Sequence, residues 1–182
     1  MRLALIAACL ICGPAMGGYW FTHKYGELRA FDGDWLAACT DNGAGACRTV
    51  QTGLVAKKGE FFDVRLSVHR IDNSPNWAVD VMDRGLPGSG LDSLTFIFDG
   101  KAVEIPAGKW KQGTVEDYNA VDTVAISDPE LAQDLVNRMK KGSRLVIRYT
   151  PVGEGDGEAA FSLRGATASM NAIDARVLAR QE

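Results

Sequence analysis

Residues 62–164 return again and again to a period-two alternation of apolar and polar side chains, the mark of half-buried β-strands. Phe62, Val64, Leu66 and Val68 interleave with Asp63, Arg65, Ser67 and His69, and Trp77, Val79 and Val81 with Ala78, Asp80 and Met82. Leu94, Phe96 and Phe98 lead into Asp99-Gly100, after which Val103 and Ile105 resume the pattern. Asp-Gly between such runs signals a two-residue hairpin, because a type I′ turn needs positive φ at both positions. Further strands are expected over 29–38, 48–52, 109–115, 118–126, 144–150 and 159–164. The last two face each other across the acidic, glycine-rich tip 153–157.

One helix is well signalled. Ser127-Asp128-Pro129-Glu130 offers a capping box from Ser127 to Glu130, with proline in the first turn. Leu131, Leu135, Val136 and Met139 share a face, Arg138, Lys140 and Lys141 suit the C-terminal dipole, and Gly142 supplies the stop. A weaker helix is predicted over about 168–179, where Met170, Ile173, Val177 and Leu178 give rough helical spacing. Many short strands with one or two short helices predict a mainly β fold, a single sandwich- or barrel-like domain.

The first 22 residues have a different character. Residues 3–22 carry no charge, with Arg2 before them and His23-Lys24 after. Twenty apolar residues at helical rise reach about 30 Å, the thickness of a hydrocarbon core, and Arg2 on the short side favours an N-in, C-out anchor. A cleaved signal peptide fits equally: an apolar core over 3–11, then small residues Ala15 and Gly17 before a cut. Ile6-Ala7-Ala8-Cys9 also resembles a lipobox. Each alternative exports the rest of the chain. The expected organisation is therefore a signal peptide or membrane anchor at 1–22, a linker at 23–28, and an exported domain at 29–182.

That remainder is long enough for one domain with its own core. The chain's net charge is −3; since residues 1–22 hold only Arg2, the remainder has 19 basic against 23 acidic groups, or −4. A mildly acidic domain without a cation cluster is a poor nucleic-acid binder.

The Cys-x-x-Cys pair Cys9 and Cys12 lies inside the apolar run and lacks the electropositive, solvent-reachable setting of a reactive thiolate. Cys39 and Cys47 differ. They flank Thr-Asp-Asn-Gly-Ala-Gly-Ala, a turn-forming segment between two strand-like stretches. After export into an oxidising compartment such an isolated pair reads as a disulfide across adjoining strands.

Catalytic patterns are sparse. His23 follows the apolar run and His69 falls on the polar face of its strand, an exposed position; neither has zinc-site spacing. Pro87-Gly88-Ser89-Gly90 fails the Gly-x-Ser-x-Gly pattern, since position 87 is proline and 91 is leucine. Gly43 and Gly45 form no phosphate-binding loop, Arg48 standing where that pattern needs otherwise. Glu154, Asp156 and Glu158 lack the order of a calcium loop. No cofactor and no metal site is expected. Trp35, Trp77 and Trp110 are core candidates by default, and any of them left exposed would be a candidate interface residue.

The order of features resembles the invasion-associated locus B family of bacterial exported proteins. Phe31-Asp32-Gly33-Asp34-Trp35 leads to Cys39 and Cys47; a helix precedes Lys140-Lys141-Gly142-Ser143 and a strand; Phe161-Ser162-Leu163-Arg164-Gly165-Ala166-Thr167-Ala168 follows. The resemblance implies a β-sandwich-like exported domain in the envelope of a Gram-negative bacterium, and it carries over no catalytic residues. The reading that follows is a non-enzymatic, periplasm-facing binding or structural protein whose partner is an envelope or host protein. Two alternatives remain: an inhibitor of a secreted hydrolase using the loop 84–90 as a plug, and a carboxylate-dependent hydrolase using Glu116, Asp117 or Asp122.

Overall fold

The computed structural model describes residues 18–53, 64–71, 74–84, 86, 90–113, 122–153 and 155–180. Two antiparallel sheets and two helices share one continuous core. The larger sheet has eight strands: β1 (Phe21–Thr22), β2 (Leu28–Asp32), β3 (Trp35–Cys39), β4 (Cys47–Thr52), β5 (Val64–Arg70), β6 (Trp77–Asp83), β9 (Lys111–Gln112) and β10 (Thr123–Ile126), in the order β1-β2-β3-β4-β5-β6-β10-β9. The smaller has β7 (Leu91–Phe98), β8 (Lys101–Glu104), β11 (Arg144–Pro151) and β12 (Gly157–Ser162), in the order β12-β11-β7-β8. The mainly β fold expected from the alternation is the one observed.

The Asp99-Gly100 turn closes a tight hairpin, with Phe98 paired to Lys101 and φ of 47° and 84° at the two turn residues. Asp99 also caps its neighbours: its carboxylate accepts the backbone N–H groups of Ser143 and Arg144. β11 and β12 pair from Arg144↔Ser162 to Tyr149↔Gly157, across the acidic tip.

Residues 29–38, read as one strand, form two. Asp32 pairs with Trp35 around a Gly33-Asp34 turn, with Gly33 at φ +58°. Glycine at the first turn position relieves the strain of that left-handed residue, so the break was written in the sequence. Residues 18–22, the end of the uncharged run, also belong to the sheet: Phe21 pairs with Arg29 and Thr22 with Leu28. Residues 3–17, with Cys9 and Cys12, lie outside the described residues, as do Phe62, Val115 and the 118–121 part of the strand expected over 118–126.

Helix α1 (Pro129–Lys141) is capped by Asp128, whose carboxylate accepts the Leu131 N–H at 3.1 Å, and not by Ser127. Both residues can cap, and the carboxylate one step later is the one that lies against the open N–H groups. Lys109 pairs with the same carboxylate. Helix α2 (Ala166–Leu178) starts two residues before the expected span. It packs on β2, β3 and β4 while α1 packs on β6, and the two helices touch. Ala132, Leu135, Val136 and Met139 of α1 and Met170, Ile173 and Val177 of α2 are buried in the core.

The Gly33-Asp34 turn meets the entrance to α2. Asp34 takes hydrogen bonds from Ser162 Oγ (2.6 Å) and Arg164 Nε (3.1 Å), and its N–H reaches the Arg164 carbonyl at 3.0 Å. These side-chain bonds, Arg164 first, hold the Asp34 carboxyl below its ordinary range. Trp35 donates its indole N–H to the Ser162 carbonyl at 3.0 Å. A Cβ on Gly165 would stand 1.8 Å from the Asp32 carbonyl oxygen. Two of the segments that carry the family resemblance, 31–35 and 161–168, are thus one contact, separated by about 130 residues of chain.

Candidate functional site

Helix α2 has two apolar faces. Its inner face is core; its outer face carries Ala168, Ala172, Ala175 and Ala179, spaced so that they fall in one stripe. This stripe floors an open groove of about 970 Å³. Gly18 and Trp20 form one wall, and Gly43-Ala44, in the short helical turn (Asp41–Gly43) between the disulfide's cysteines, form another.

The groove's charged lining residues are Arg176 and Arg180, and neither makes an ion pair among the described residues. Arg176 lies over the Trp20 ring, 4.7 Å from its centroid, which places a cation–π contact on the wall. Arg180 reaches the carbonyls of Gly43 and Gly45 and lies 3.0 Å from Cys47 Sγ. Hydrogen bonding to neutral carbonyls orients that guanidinium without cancelling its charge. The groove therefore joins small apolar surface to two cations with no acidic partner among the described residues, a combination complementary in chemistry to an apolar, carboxylate-bearing group.

Beside it, on the other side of the N-terminal strand, the surface is aromatic. Tyr19 is 88% exposed, Tyr25 75% and Phe31 61%, and Phe21 stacks on Phe31 at 6.1 Å between centroids. Stacked, solvent-facing aromatics such as Phe21 and Phe31 are the composition of an interaction surface.

Cys39 and Cys47 are register partners on β3 and β4 and form the disulfide. The bond belongs to an oxidising compartment. Trp35 and Trp77 are buried, and Trp110 is half-buried against the core. Trp77 is covered by Arg70, whose guanidinium lies 3.7 Å from the ring centroid and also holds Asp174 of α2 at 2.7 Å. Lys140 joins this cluster; burial is the main cause holding its ammonium below its ordinary pKa, Asp174 opposing and Arg70 adding to it. Tryptophan's size recruits it to the core first, so the exposed aromatics were tyrosines and phenylalanines on 19–31.

His69, expected at the surface, is buried, its Nδ1 3.5 Å from Asp80 Oδ2 on the neighbouring strand. β5 and β6 lie mid-sheet, and both their faces are covered, so alternation there separates two interiors rather than inside from outside. Of the carboxylates considered for hydrolysis, Asp122 precedes β10 and gives its carbonyl to the Asp83 N–H; Glu116 and Asp117 lie outside the described residues. Of the loop 84–90, Leu86 is buried, and 85 and 87–89 lie outside the described residues. Among the described residues no three His, Cys, Asp or Glu side chains come together as metal ligands, and no helix there is long and apolar enough to cross a membrane.

Sequence reasoning missed the groove. Its signal is the alanine stripe 168-172-175-179 followed by Arg180, which dilutes the helical periodicity of α2 and made the helix look weak.

Among solved structures the fold is similar to the crystal structure of invasion associated protein B from Bartonella henselae, with a TM-score of 0.54 and 17% identity over 84% of this chain and 97% of that one. At that identity the likeness is one of fold. No family model matches the chain, and no curated protein does.

Proposed function

We propose that this chain is an exported, non-enzymatic envelope protein that holds a partner polypeptide in the α2 groove. The partner contributes a segment with small apolar side chains and a carboxylate for Arg176 and Arg180. The observation that carries this reading is the pairing of an alanine-floored groove with two arginines that have no acidic partner among the described residues. Its volume is within the range of roughly 300–1,000 Å³ typical of ligand clefts, and the stacked Phe21 and Phe31 supply apolar contact beyond it. The disulfide and the uncharged N-terminal run support export, and the fold is one shared with a protein named for its association with invasion.

Site-directed photo-crosslinking in an expressing Gram-negative cell tests this. A photoreactive residue at Ala172 should form an adduct with a second polypeptide, and that adduct should disappear with Arg176→Glu while the variant keeps the wild-type circular dichroism. The same probe at Gly100, on the remote hairpin, should give none. Equal labelling from both positions, or an adduct at Ala172 indifferent to Arg176→Glu, would remove the groove from the account.

A further inference from the structure

The fold takes hold of the chain at Gly18. The backbone nitrogen of Gly18 lies 2.6 Å from Asp32 Oδ1. Asp32 is buried, 8% exposed, and its second oxygen, Oδ2, is buried with no hydrogen-bond partner among the described residues. No cationic side chain pairs with this carboxylate among the described residues. A buried carboxylate that receives one amide N–H is under-satisfied in both charge and hydrogen bonding. The site also admits only glycine, since a Cβ at position 18 would stand 2.2 Å from the Phe31 carbonyl oxygen. From there onward the chain is committed: Trp20 lies under Arg176, and Phe21 and Thr22 pair with β2.

This geometry bears on the residues before it. Were residues 3–17 a retained helical anchor, the fifteen of them would reach about 22 Å, short of a hydrocarbon core of about 30 Å. The same stretch ends in Ala15-Met16-Gly17, small at the third and first positions before residue 18, the pattern at which signal peptides are cut.

We propose that the chain is processed between Gly17 and Gly18, and that the α-ammonium so created is the missing partner of Asp32. Hydrolysis breaks the Gly17–Gly18 peptide bond. Water's hydroxyl goes to the Gly17 carbonyl carbon and its proton to the Gly18 nitrogen; the new leader carboxyl then releases a proton to solvent and the new amine takes one up, leaving carboxylate and ammonium. Three N–H donors then stand where one stood, enough to satisfy both oxygens of Asp32, and the buried negative charge gains a positive one. The removed leader is read by a signal-removing peptidase; the fold supplies the seat for the new end.

The test begins with the full-length precursor expressed in a Gram-negative host. N-terminal sequencing and intact mass of the envelope product should give a chain starting Gly-Tyr-Trp-Phe. A chain starting at Met1, at a lipid-modified Cys9, or at any residue other than Gly18 overturns the proposal. The pairing is tested with Asp32→Asn, which leaves the cut unchanged. A terminal amine stabilised by Asp32 has its pKa raised above about 8, so its contribution is complete below that pH and is lost as pH rises through the folded value. The wild-type melting midpoint should therefore fall by a few degrees across this range, while Asp32→Asn, lower at neutral pH, should not show that step. Identical pH profiles would overturn the pairing. Should Asp32→Asn fail to fold, acylation of the Gly18 amine in the native wild-type protein gives the answer: it should be many-fold slower than in urea, and equal rates would overturn the pairing. These readouts do not depend on the groove's partner.

Discussion

Tyr149, on β11, passes its hydroxyl to Asp83 on β6 at 2.7 Å and so ties the smaller sheet to the larger. Burial first, then the hydrogen bond to Asp83 and its charge, raise the phenol well above its ordinary pKa. The folded state thus keeps this proton where the unfolded chain, titrating near 10, loses it. Stability from this group is complete below about pH 10 and falls as pH rises beyond it. Tyr149→Phe should cost about 1–2 kcal/mol at neutral pH and flatten the alkaline limb of a denaturation series, as urea midpoints across that range would show. At this scale the sequence was a partial guide. Cys39 and Cys47 were legible because export and isolation leave them little else to do. His69 was not, because period two cannot tell a solvent face from a second interior. Asp32 fell inside the strand expected over 29–38, and nothing local announces that its carboxylate is buried.

Helix α2 depends on how it begins. Gly165, at φ +96°, brings its Cα against the Asp32 carbonyl, and no side chain fits there. Gly165→Ala should cost about 1–3 kcal/mol from the left-handed backbone alone, and more from the steric clash. A fall in the urea midpoint with near-native circular dichroism at low urea is the expected result; an unchanged midpoint would contradict the packing described. Elements of this kind were well marked when one face was polar. Asp99-Gly100 and α1 could be read directly, each having turn chemistry or caps beside a clean alternation. Gly33-Asp34 carried an equally good hairpin signal, masked by apolar residues on both sides. The groove escaped notice for a related reason: an alanine face toward solvent looks like a helix with no solvent face.

Across the whole molecule, the disulfide and α2 act on the same loop. Arg180 grips the carbonyls of Gly43 and Gly45 while Cys39 and Cys47 close the ring around them. Replacing both cysteines by alanine should cost about 2.5 kcal/mol by the loop-entropy argument. It should also speed amide hydrogen exchange in the last turn of α2 more than in α1, which has no tie to that loop. The sandwich was legible from the number and spacing of strands. The strand order was not: β10 sits between β6 and β9, and chain order does not specify which edge a late strand will join. Similarly, nothing in either segment alone foretells that 31–35 and 161–168 will lie together. Under the export proposed above, in which the polypeptide is threaded through a membrane from its amino end, that contact has a temporal meaning. The first hairpin emerges early but finds its lid only when residues 162–164 arrive, since Asp34 and Trp35 bond to Arg164 and Ser162. Closure so late in the chain is slow, and it leaves the earlier segments pliable for as long as translocation lasts.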